Sequence, residues 1–289
     1  MMWAHTIVKT KVQTTDVESA DEIRKLASKS KWLWIDCLEP DEKELETIAE
    51  LAKEKMIVNL IKKAQISSQY ERSNEHNLIP VLLVNFKEKL EIHNIYVITH
   101  EKIFITVRNG NSSKSTNNTL RTLQNCIKEI NNEAIPSFVI SRLFHEATNE
   151  NLETIMALRE YIDALEEKAL DKPADKKLSK DVFRLKREVS TLERVFWVQK
   201  ETMLAINEGI VPPIQTSERD RLSLNHAISN ISRELSLINS HKNTLDGILR
   251  LQDLGMIHRV ERILIYLTMV TIIMNAVLIL WETGILQFW

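Results

Sequence analysis

From Ile263 to Trp281 (ILIYLTMVTIIMNAVLILW), 19 consecutive residues carry no charge, bounded by Arg262 and Glu282. A helix rises about 1.5 Å per residue, so a bilayer core of roughly 30 Å takes about 20 residues to cross. The pattern predicts one membrane-spanning helix, the only run of this kind in the chain. Within it the polar positions are ordered. Glu261, Leu264, Thr268, Thr271, Asn275, Leu278 and Glu282 follow a 3-4-3-4-3-4 spacing, which places them on one face. Polar groups are costly against lipid, so this stripe should face other helices or a water-filled lumen built by several copies. The alternative is a plain anchor whose Thr and Asn side chains bond back to their own helix or to one neighbour.

The same 3–4 spacing extends upstream. Leu224, Ile228, Ile231, Leu235, Ile238, Leu245 and Leu249 enter the span in phase with the polar stripe, with no stop signal between. Thr216 or Ser217 caps this helix, with Glu218 and Asp220 in its first turn. Its length would be about 65 to 70 residues, roughly 100 Å. A helix that long with one narrow apolar stripe is a stalk of a multi-helix assembly. Gly247 and Gly255 are its hinge candidates, each costing about 1 kcal/mol against Ala; they permit either bending or close packing.

Before the stalk, Pro136 opens a long helix to about Asp171, with Phe138, Ile140, Leu143, Leu152, Ile155, Leu158, Ile162 and Leu165 on its apolar side. KPADKK (172–177) is a polar turn. Leu178, Val182, Leu185, Val189, Leu192, Phe196 and Met203 then sustain a heptad-like stripe that Gly209 stops, and Pro212-Pro213 turns the chain again. The two helices predict an antiparallel hairpin. A shorter helix is expected over Thr119 to Asn131, preceded by a polar linker, Gly110 to Asn118.

Residues 1 to 112 have a different rhythm, that of mixed α/β structure. Trp3 to Val12 reads as one edge strand, Ser19 to Ser28 as a short helix, and KWLWIDC (31–37) as a buried strand. Pro40 and Asp41 start a helix with Leu45, Ile48, Ala49 and Ala52 inward. Leu78–Phe86, Leu90–Thr99 and Lys102–Val107 are three successive strands, the last two joined at His100-Glu101. The fold class expected is therefore an α/β N-terminal domain (1–112), a helical region with the long hairpin (113–215), a stalk helix (216–262), a transmembrane helix (263–281) and an outer-interface tail (282–289).

Composition narrows the function. Charged residues are 27% and the formal net charge is −2, so no basic field argues for nucleic acid. Five Gly and six Pro suit long uninterrupted helices. Cys37 and Cys126 fit no metal or redox spacing and indicate reduced thiols in a cytosolic domain. Asp36, Asp41 and Glu42 cluster, but read as a solvated helix N-terminus ahead of a metal site. No nucleotide loop and no nucleophile–His–acid arrangement appears, so an enzyme is not expected. The N-terminus has no signal-peptide core. His241, Lys242, Arg250, His258, Arg259 and Arg262 precede the span and no Lys or Arg follows it, which puts the N-terminal side inside.

Three stretches carry a resemblance to a known family. WIDCLEPDEKELETIAE resembles the "W-I-D, then P-D, then a helix" opening of the CorA family of divalent-cation channels. IYVITHEKIFITVRNG is similar to its paired strands ending in "ITV", and RVERILIYLT to its "R-x-N-x-x-M-K-x-L-T" junction. The order of parts also resembles that family's funnel: an α/β domain, a helical hairpin, then a stalk helix becoming the pore-lining first span. The departures are specific. Glu261 stands where the family has Asn, and Leu264 where it has Met. Counted without gaps from Leu267-Thr268, the family's Gly-Met-Asn signature falls on Ile285-Leu286-Gln287, and Met274-Asn275 lies about twelve residues too early. The usual second span is not in this sequence, which implies either a cut in the outer loop or a one-span relative. His226 and Arg250 occupy the stalk positions where the family's Mg2+-sensing acids would align.

The resemblance implies a homo-oligomer, pentameric by family, in the plasma membrane with its N-terminal domain cytoplasmic. It would pass Mg2+ (or Co2+, Ni2+, Zn2+) as cargo, with no covalently bound cofactor and no nucleic-acid partner. Thr268, Thr271, Asn275 and Gln287 would offer hydroxyls and amides to a hydrated ion. Glu261 and Glu282 would gather cations at the two mouths, and Leu264 and Leu278 would constrict. Against this, Glu261 can pair with His258 or Arg262, and Glu282 can simply end the span. The competing reading is a non-conducting, membrane-anchored subunit or scaffold that assembles with a two-span relative.

Overall fold

The computed structural model describes residues 1–8, 11–30, 32–53, 58–59, 61, 71–72, 77–87, 89–100, 103–108, 113–126, 135–172, 175–211, 214 and 217–282. It falls into two compact units. One comprises Met1–Arg159 with Glu188–Ser240, the other Glu160–Arg187 with His241–Trp289.

The first unit is built on a seven-stranded sheet. Its strands are β1 (Met2–Val8), β2 (Lys11–Asp16), β3 (Leu33–Leu38), β4 (Glu71–Arg72), β5 (Asn77–Phe86), β6 (Leu90–His100) and β7 (Ile103–Arg108), in the order β2-β1-β3-β7-β6-β5-β4. Only β3 and β7 run parallel, with Leu33 opposite Ile103 and Leu38 opposite Arg108. Alternation sends Leu33, Ile35 and Cys37 to one face. There they pack with Met2, Ala4, Ile98, Ile105 and Val107 against α1 (Ala20–Lys29) and α2 (Glu42–Leu51). Trp34 points to the other face, edge-on to Phe104 with centroids 6.2 Å apart. Asp41 and Glu44 form a reciprocal capping box that starts α2.

Three expectations are corrected here. Trp3 to Val12 is not one edge strand but parts of two: β1 lies inside the sheet between β2 and β3, and β2 is the edge. The weak alternation concealed a hairpin whose outer arm is exposed while its inner arm buries Met2, Ala4, His5 and Thr6. Secondly, the polar stretch expected as a linker already belongs to a helix from Ser113: α3 spans Ser113–Cys126. Its polar residues are held by tertiary bonds. Ser115 donates to Glu150 (2.5 Å) and the Asn118 amide to Glu146 (3.1 Å). Thirdly, Asp36 is not solvated. It is 3% exposed and accepts from Arg108 Nε (3.1 Å) and Nη2 (2.7 Å) and from the Thr106 hydroxyl (2.7 Å).

Three long helices follow: α4 (Ile135–Asp171), α5 (Lys176–Asn207) and α6 (Glu218–Glu282). Gly209 ends α5 in the left-handed region, φ 75°. Its N–H bonds to Ile206 O and that of Ile210 to Ala205 O, a Schellman closure. In the first unit, α4 and α5 also finish the sheet. Among the described residues, β4 pairs with Leu78 and Asn77 of β5, and side chains of the helices bond to the strand further along. Asn151 of α4 accepts from Val84 N (2.8 Å) and donates to Leu82 O (3.0 Å). The Thr154 hydroxyl donates to Val84 O (3.0 Å), and Gln199 of α5 accepts from Leu82 N (2.7 Å). The expected turns at Pro173 and Pro212-Pro213, the Thr216 cap, Glu101, and the 283–289 tail lie outside the described residues.

Candidate functional site

α6 is one unbroken helix of 65 residues, so the stalk and the apolar run are a single element. It is long and apolar enough to cross a membrane. Its upper half packs. Leu224, Ala227, Ile231, Leu235 and Ile238 are buried in the first unit, and Leu245 and Ile248 in the second. Ile228 and Leu249, expected inward, are half-buried, with Ala227 and Ile248 taking the inner places. Three buried polar positions, Glu234, His241 and Gln252, break the apolar pattern on this face. Glu234 has no exposure, and neither carboxylate oxygen has a partner among the described residues. Burial pushes its carboxyl well above the usual range, the adjacent Arg233 opposing weakly. The 3–4 step from Ile231 to Glu234 to Ile238 was the signal in the sequence that a carboxyl occupies the stripe.

The candidate pore residues sit on the lower part of α6. From Asp253 to Glu282 no residue is buried by the chain itself. Glu261, Leu264, Thr268, Thr271, Asn275, Leu278 and Glu282 share one face over about 32 Å of helix, at 1.5 Å per residue. The Thr268 hydroxyl donates to Leu264 O (2.8 Å) and that of Thr271 to Leu267 O (2.9 Å). Both hydroxyl hydrogens are thus used by the backbone, while each oxygen keeps lone pairs directed outward. Asn275 makes no side-chain hydrogen bond among the described residues, so its amide offers both donor and acceptor. Glu261 pairs with His258, Nδ1 to Oε2 at 3.3 Å, both exposed. Glu282 is the last helical residue, and Gln287 lies outside the described residues. Leu264 and Leu278 are more than half exposed. An added Cβ at Gly247 meets nothing within 4 Å, so packing within the chain does not require glycine there. Gly255 lines a groove with Leu251, Leu254, His258, Arg259 and Arg262. His226 and Arg250 are exposed.

Among the described residues no group of three or more His, Cys, Asp and Glu side chains is placed to hold a metal ion. The chemistry on offer is a ladder of outward oxygen and amide groups, flanked by carboxylates and spaced by leucines, along an apolar helix.

Comparison with known proteins accords with this layout. The family model described as CorA-like Mg2+ transporter protein matches residues 29–277. The complete structure of the CorA magnesium transporter from Methanocaldococcus jannaschii superposes with a TM-score of 0.73 at 17% identity, covering 99% of this chain and 86% of that one. The full-length CmaX protein gives 0.68 at 15% identity, covering 93% and 81%. The soluble domain of the M. jannaschii CorA gives 0.62 at 15%, covering 87% and 96%. At these identities the structural matches establish the fold. No curated protein matches the sequence.

Proposed function

The chain belongs to the CorA-like Mg2+ transporter family, and from that premise we propose that it is the protomer of a homo-oligomeric passive channel for Mg2+ or another divalent cation. The oligomer, a pentamer by analogy with the family, sits in the plasma membrane. Residues 1–112 form a cytoplasmic domain, 113–215 a hairpin region, 216–262 the stalk, 263–281 the pore-lining span and 282–289 an outer tail. The protein acts as a transporter, not an enzyme. The cation is its cargo and it needs no resident cofactor.

The observation that carries this reading is the state of the threonines. Magnesium sheds its water reluctantly, so a pathway for it must accept hydrogen bonds from coordinated water. A ring of Thr268 and Thr271, with hydrogens committed to the helix and lone pairs outward, is an acceptor ring. Asn275 and Gln287 add amide acceptors. Glu261 and Glu282 raise the local cation concentration at the mouths, and rings of Leu264 and Leu278 gate by dewetting. Opening would draw on Gly247 or Gly255 as flexible points of the stalk.

A second reading is a non-conducting, membrane-anchored subunit or scaffold working with a two-span relative. It is favoured by Glu261 and Leu264 at the junction and by the displaced Met274-Asn275. The experiment is Mg2+ uptake into proteoliposomes, read with an internal Mg2+-sensitive dye, comparing the chain with Asn275→Leu. Uptake altered by Asn275→Leu supports the channel. Well-folded oligomers that pass no Mg2+ favour the second reading.

A further inference from the structure

In the second unit, the end of α4 and the last turns of α6 before the apolar run enclose a groove of about 620 Å3. It is lined by Ala169, Leu170, Leu251, Leu254 and Gly255 on its apolar side, and by His258, Arg259 and Arg262 at one end. Bonds within the unit set its level. Lys186 pairs with Asp246, and the Ser179 hydroxyl donates to Gln252 (3.2 Å), so α5 runs antiparallel to α6 and its first residues reach past Gln252 toward the span. Leu170 is 64% and Leu254 53% exposed, and the exposed apolar surface continues through Met256, Ile257 and Val260.

We infer that this groove binds the headgroup of an anionic phospholipid from the inner leaflet. The inference rests on the membrane-spanning reading of α6, with its N-terminal side inside, and not on conduction. Depth along the helix is the first argument. Arg259 lies four residues and Arg262 one residue before Ile263, about 6 Å and 1.5 Å along the axis. The headgroup layer on each side of a bilayer is about 5–8 Å thick, so both arginines stand at lipid phosphate level. Charge is the second argument. Neither arginine has a carboxylate partner among the described residues, and Glu261, between them in the chain, pairs with His258. Two guanidiniums over one concavity match a phosphate diester, and anionic inner-leaflet lipids supply it. The apolar wall is the third argument. Leu170, Leu251 and Leu254 shield the arginine–phosphate contacts from water, where they are stronger, and Gly255 leaves room by carrying no side chain. Among the described lining residues there is no Phe, Tyr or Trp.

The test uses the full chain. Flotation with vesicles of pure phosphatidylcholine reads insertion alone. Native mass spectrometry of the detergent-solubilised protein, titrated with phosphatidylglycerol or phosphatidylcholine, reads the site. Phosphatidylglycerol should bind preferentially, and Arg259→Gln with Arg262→Gln should weaken it about 30-fold. Gly255→Leu, which fills the groove and keeps both charges, should weaken it as well, while Lys200→Gln elsewhere should not. Insertion without preference for phosphatidylglycerol overturns the lipid site alone, and so does preference that survives both groove variants. Displacement by millimolar inorganic phosphate would mark a free-anion site. A Leu170→Cys to Leu254→Cys cross-link between copies would mark a protein contact. Failure to float with phosphatidylcholine removes the membrane premise itself.

Discussion

Removing the charge of Asp36 should be among the most damaging single changes in the α/β unit. Asp36 and Arg108 are 3% and 4% exposed; on the parallel pair β3–β7, Asp36 lies opposite Thr106, two residues before Arg108. The carboxylate takes two N–H groups from Arg108 and the hydroxyl of Thr106, and the Thr106 oxygen accepts in turn from the Trp34 indole (3.0 Å). Asp36→Asn keeps the shape but leaves a guanidinium buried against a neutral amide. Breaking a buried pair in this way costs about 3–5 kcal/mol. At about 2–4 °C per kcal/mol for a chain of this size, Tm should fall by about 6–20 °C. The assay is thermal unfolding of the full chain in detergent, followed by near-ultraviolet circular dichroism, with Asp36→Leu/Arg108→Met alongside. The double variant should lose less than the single one, because it leaves no uncompensated charge. A loss under about 1 kcal/mol for Asp36→Asn, or a double variant as damaged as the single, would refute the assignment.

Three further outcomes follow from buried or strained groups. His5, packed on Trp34 at 5.0 Å and bonded to Thr14 (2.9 Å), has its pKa lowered to about 4, mainly by burial. The unfolded chain therefore binds the extra proton first, and stability should fall as pH drops from about 6.5 to 4, by about 3 kcal/mol in all; urea titrations across that range should show the slope, and His5→Gln should flatten it. Glu234 is the opposite case. Its raised pKa means the folded state holds the proton longer, so its contribution to stability declines as pH rises above the unfolded carboxyl value. Glu234→Leu should raise stability at pH 7 by about 1–3 kcal/mol, and a melting temperature that fails to rise would mean the carboxyl has a partner in the assembled protein. Gly209→Ala forces a Cβ into the left-handed region at φ 75° and should cost about 1 kcal/mol, measured as a lower urea midpoint.

What the sequence determined by itself is what depends on spacing along one helix. The 19-residue uncharged run, its 3-4 polar stripe and the apolar stripes of α4 and α5 are one-dimensional properties. Phe138, Ile140, Leu143, Ile155, Leu158, Ile162 and Leu165 are buried as their period requires, and so are all seven stripe residues of α5. The helix running unbroken from Glu218 to Glu282 is legible for the same reason, since nothing in it stops a helix. The tertiary structure decided whatever depends on a partner far away in the chain. Asp36 lies 72 residues from Arg108, Gln199 lies 117 from Leu82, and the polar turn of α3 is held by glutamates of α4. No local period distinguishes a polar side chain facing water from one satisfying a distant group, so Asp36 read as solvated, and nothing in the sequence marked Asn151 or Gln199 as partners of the sheet. The same holds at the groove, which Leu170 of α4 and Arg259 of α6 line together although they are far apart in the chain.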